Sequence, residues 1–138
     1  MPAEQDGKEP IEDDELLYRR VPTVHYSSGL SPEAFAPHKT NDTDGLSLTR
    51  AKYNSLDDAA KGRPGKEYYV AVFRASDLRD IVNVQIEPDP QPHDSGHVLI
   101  PEMNSDNRKA QETAERKLAM KVVCLRIEGP FATPDDAQ

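Results

Sequence analysis

The stretch EYYVAVFRA, residues 67–75, is the segment that most limits the folds open to this chain. Tyr68, Val70 and Val72 alternate with Tyr69, Ala71 and Phe73, so an extended strand here is apolar on both faces. A strand of that kind is covered on both sides and lies inside a sheet. The rest of the chain has to supply strand neighbours and a covering layer.

Candidates for both follow from local patterning. Residues 16–26, LLYRRVPTVHY, are rich in β-branched and aromatic residues and read as a strand, either placed at an edge or broken at Pro22, because Pro22 cannot donate to a ladder. Residues 46–53 read as a short strand. In 82–87, Val82, Val84 and Ile86 alternate with Asn83, Gln85 and Glu87, the pattern of a half-buried strand with one wet side. HVLI, 97–100, is a further short strand. Ser31 before Pro32, and Ser55 three residues before Asp58, have the spacing of helix N-caps. Residues 105–126 form the one long helix, with Ala110, Ala114, Leu118, Val122 and Leu125 as the apolar stripe expected to face the sheet. Its end is ambiguous, because 122–127 are β-branched enough for a strand. The fold class is α+β: a small, mostly antiparallel sheet of four to five strands with one long C-terminal helix packed on it.

Charge divides the chain. Of the net −8, most sits at the ends: residues 1–15 hold seven acids against Lys8, and 128–138 hold three acids and no base. Expected boundaries are therefore an acidic disordered leader over 1–15, one α+β domain over 16–127, and a flexible acidic tail over 128–138. A second reading of the leader is an electrostatic lid over a basic groove.

Several classes are disfavoured. Cys124 is the only cysteine, which rules out a disulfide within the chain and a cysteine-rich zinc cluster, and fits a reducing compartment. No apolar run approaches the length of a membrane span, and the acidic N-terminus is unlike a signal peptide, so a cytoplasmic protein is expected. Aromatic residues are 6% of the chain with no Trp, which argues against a base-stacking sheet and so against nucleic acid as a partner. Arg108, Lys109, Arg116, Lys117 and Lys121 on the long helix read as a solvated face, helped by Glu112 four residues before Arg116.

Three constellations could carry chemistry. PDPQPHDSGHVLIP, residues 88–101, contains His93, Asp94 and His97. The prolines and Gly96 forbid the helix that would align two imidazoles, so these are weak metal candidates and the stretch reads as a rigid connector. His25 precedes Tyr26-Ser27-Ser28-Gly29, but adjacent strand residues point to opposite faces and no nucleophile-elbow motif is present. His38 reads as a solvent-exposed loop histidine.

The third is distributed: Arg19 or Arg20 on the first strand, Ser47-Leu48-Thr49 on a later one, then Gln85-Ile86-Glu87. In order, this resembles the sparse signature of the Arg–Ser–Glu ADP-ribosyltransferases. The resemblance implies that Arg20 holds a phosphate of NAD, Ser47 orders the site, and Glu87, with Gln85 beside it, steadies an oxocarbenium-like centre. The chain departs from that family in its shortness and in lacking an aromatic strip for NAD. The composition itself implies no cofactor. The expectation adopted is an accessory or interaction protein without catalysis, binding another protein through the edge at 16–26; a nucleotide-ligand transferase is the alternative.

Overall fold

The computed structural model describes residues 7–37, 44–104 and 110–133. Among these, six strands form a single antiparallel sheet: β1 (Leu16–Pro22), β2 (Leu46–Arg50), β3 (Glu67–Arg74), β4 (Glu87–Pro88), β5 (His97–Ile100) and β6 (Arg126–Ala132). Their spatial order is β4-β5-β2-β1-β3-β6. The helices are α1 (Leu56–Ala59), α2 (Ala75–Asp77) and α3 (Ala110–Val123). The α+β class is as expected, with six strands in place of four or five.

β3 behaves as its two-sided apolar pattern requires. It is an inner strand, paired with β1 and β6. On one face Ala71 and Phe73 join Leu17, Val21, Leu48, Val98 and Met120 in the main core. On the other, Tyr68 and Val70 pack with Ala60, and Tyr18, Leu56 and Phe131 close around them.

The caps also form as the sequence implies. Ser31 accepts from the Glu33 amide ahead of the 3-10 turn Pro32–Phe35. Ser55 Oγ accepts from the Asp58 amide at 3.1 Å and starts α1.

Four expectations are corrected. β1 is not an edge strand: it pairs with both β2 and β3. The other placement open to it holds instead: the strand breaks at Pro22, its last residue, where the missing N–H interrupts nothing inside the ladder. The outer strands are β4 and β6, and the proline that blunts a long edge is Pro130 in β6.

Residues 82–86 are not a strand. A π-type turn over Leu78–Val82 ends where Asn83 takes a left-handed conformation (φ 64°, ψ 51°), and pairing begins only at Glu87. The alternation nevertheless holds, because Val82, Val84 and Ile86 are buried while Asn83, Gln85 and Glu87 are exposed.

The third correction concerns the rotation of α3. Met120 and Val123 face the core, whereas Ala114, Leu118, Val122 and the following Leu125 face water. Only Cys124 and Leu125 separate α3 from β6, and the Leu125 amide donates to Val72 O at 2.8 Å. The β3–β6 register thus sets which side of the helix turns inward. The ambiguity over 122–127 resolves as helix to Val123 and strand from Arg126.

Lastly, the acidic leader is folded from Gly7 onward. Ile11 is buried in the main core, and the Ala75 and Ser76 amides donate to the carbonyls of Glu15 and Asp13. At the other end β6 runs to Ala132, past the expected start of a flexible tail. The outer parts of both ends, His38, Arg108 and Lys109 lie outside the described residues.

Candidate functional site

The residues of the transferase-like pattern share a sheet face without sharing a cleft. Ser47 and Glu87 are both register partners of Leu99, one on either side of β5. Arg20 lies on β1, which puts it three strand spacings from β4, about 14 Å across the sheet. Its guanidinium turns the other way, donating to Lys61 O and lying 5.2 Å from the Tyr68 ring centroid. Gln85 is held through its backbone, which donates to Glu102 Oε1 at 3.1 Å.

Arg19 lines a cleft of about 530 Å³ with His25, Glu33 and Ala34. Its guanidinium already donates to Ala34 O at 3.3 Å and Ser47 O at 2.9 Å.

The proline-rich stretch forms the hairpin between β4 and β5. Gln91 and Asp94 exchange backbone hydrogen bonds at 2.9 and 3.0 Å. Asp94 Oδ1 accepts from Thr49 Oγ1 at 3.0 Å, Asn54 Nδ2 at 2.8 Å and the Gly96 amide at 2.9 Å. His97 Nδ1 lies 3.0 Å from Asp89 Oδ2, and His93 is exposed. Asp94 thus ties the loop to β2, and among the described residues no three His, Cys, Asp or Glu side chains are grouped to share a metal ion.

Two features were not anticipated. The first is the setting of Arg50, whose side chain is fully buried. Its guanidinium is paired with both carboxylate oxygens of Glu15 and donates to the carbonyls of Gly7 at 3.2 Å, Glu9 at 3.0 Å and Pro10 at 3.3 Å. Beside it, Tyr53 donates to Glu9 Oε2 at 2.6 Å, and Lys52 Nζ sits 2.7 Å from the same carboxylate. Lys52 and Tyr53 together hold the Glu9 carboxyl down at about 2. Gly7 is required where the leader enters: with φ at +83°, a β-carbon would lie 1.8 Å from Ser95 O. The leader closes over a cationic site as a lid would, but the site is filled by this segment itself. The signal in the sequence was Ile11, a large apolar residue inside the acidic run.

The second is the outer side of α3. Leu118 is 54% exposed, Val122 73% and Leu125 39%, and Ile81 on the neighbouring turn is 59% exposed. Scattered surface hydrophobics are ordinary, but a stripe of them along one helix, joined by a fourth beside it, makes a patch. The inner side carries Met120 and Val123 and is anchored at its flank by Lys117, whose ammonium reaches Glu33 at 2.6 Å.

Among the described residues no helix is long and apolar enough to cross a membrane. Comparison of the chain with protein-family models, curated proteins and solved structures gave no match.

Proposed function

We propose that this protein is a small interaction module that works without catalysis and docks another protein on the outward face of α3. The observation that carries the reading is the apolar stripe of Leu118 and Val122, continued by Leu125 just past the helix end and turned to solvent on a helix whose opposite side is already packed. Each square ångström of such surface removed from water contributes about 25 cal/mol. Covering the patch therefore favours association, and β1, now an inner strand, no longer offers an edge for docking.

A photo-crosslinking side chain placed at Leu118 tests this. A discrete one-to-one adduct is expected from position 118, absent when Val122→Glu is added and absent from the exposed control position Lys66. The same products from positions 118 and 66, or none from 118, would overturn it.

A further inference from the structure

The partner's chemistry can be taken further, on the understanding that the docking face of α3 is as proposed above. Along one flank of that face runs a cleft of about 270 Å³, lined by Ile81, Val82, Asn83, Glu115, Arg116 and Ala119. Small-molecule sites span about 300–1,000 Å³, so this cleft suits one or two inserted side chains better than a whole ligand.

The flank is acidic. Glu112 and Glu115 of α3 line it, and the exposed Asp80 directly precedes Ile81 on the turn, a band of three carboxylates. Arg116, 3.6 Å from Glu112, interrupts the band. The opposite flank carries Lys121 and the Lys117–Glu33 pair.

We infer that this groove receives a basic amphipathic helix of a partner protein. Its apolar residues, spaced three and four apart, lie on Leu118 and Val122 and enter the cleft beside Ile81. Its lysines and arginines run along Asp80, Glu112 and Glu115. A second copy of this chain set antiparallel is a poor occupant, and a parallel pair, which sets the acidic flank against the basic one, is the rival that sedimentation tests below. A twofold axis that sets two α3 faces antiparallel leaves each acidic flank against the other copy's acidic flank, and like charges repel. The same band disfavours a phosphate backbone or an anionic lipid surface.

The full chain is titrated calorimetrically with two synthetic helices matched in length to α3, one of leucine and lysine and one of leucine and glutamate. The lysine peptide is expected to bind at least about tenfold more tightly, and raised salt weakens it as screening sets in. Leu118→Ser with Val122→Ser lowers that affinity about tenfold, and Glu112→Gln with Glu115→Gln lowers it about threefold, both in chains that keep the wild-type circular dichroism. Equal affinity for the two peptides overturns the inference. So does indifference to Leu118→Ser with Val122→Ser, or self-association through α3 in sedimentation. If position 118 still crosslinks to a partner while the lysine peptide fails to bind, the docking face stands and the basic helix falls.

Discussion

At the scale of single residues, Arg50 and the carboxylates around it are the most consequential group. Taking a guanidinium out of water is costly unless its donors are met, and here Glu15 and three leader carbonyls meet them. Glu9, on the outer side of the cluster, gives a pH signature. Its folded pKa of about 2 lies below the ordinary 4.5, so the stability it contributes is complete above pH 4.5 and is lost as the pH falls towards 2. Thermal unfolding midpoints should therefore drop through that window. In Glu9→Gln this part of the drop is expected to vanish, which a series of melts across the acid range will measure.

At the scale of elements, α3 shows how a helix can have a legible stripe and an unexpected orientation. Periodicity identifies which side chains share a side, but it cannot say which side turns inward when apolar residues occur on two. Met120 and Val123 win because the short link to β6 locks the helix rotation, and Met120 fills the space beneath. Met120→Ala should cost about 2–5 kcal/mol, whereas Val122→Ala should change stability by no more than about 0.5 kcal/mol. Chemical denaturation of the two variants measures the difference, and the stripe expected from periodicity alone would reverse their order. Residues 82–86 make a related point. Alternate burial followed from alternate chemistry, yet the strand did not, because burial needs only a covering surface while a strand needs a partner.

At the scale of the whole molecule, the leader is a structural part of the domain. It crosses from Gly7 beside the β4–β5 hairpin, over Arg50, to the amides of Ala75 and Ser76. Removing one partner of a buried ion pair typically costs about 3–5 kcal/mol, and Glu15→Gln leaves Arg50 in that position. The variant should lose a comparable amount of stability. Hydrogen exchange should report faster loss of protection at Ala75 and Ser76, whose amides the leader carbonyls hold, than at Val98, inside β5 and three strand positions from β3.

The sequence by itself determined what neighbours along the chain decide: the inner position of β3 from its two apolar faces, the caps at Ser31 and Ser55, and the wet and dry sides of residues 82–87. These depend on side-chain chemistry repeated at short spacing. Tertiary structure alone decided the strand order, the rotation of α3, and the closing of the leader over Arg50, whose partner Glu15 is 35 residues away. The exposed apolar face of α3 could not be read in advance for the same reason. A stripe of Leu and Val has one pattern whether it meets a core or water, and only the packing of everything around it separates the two.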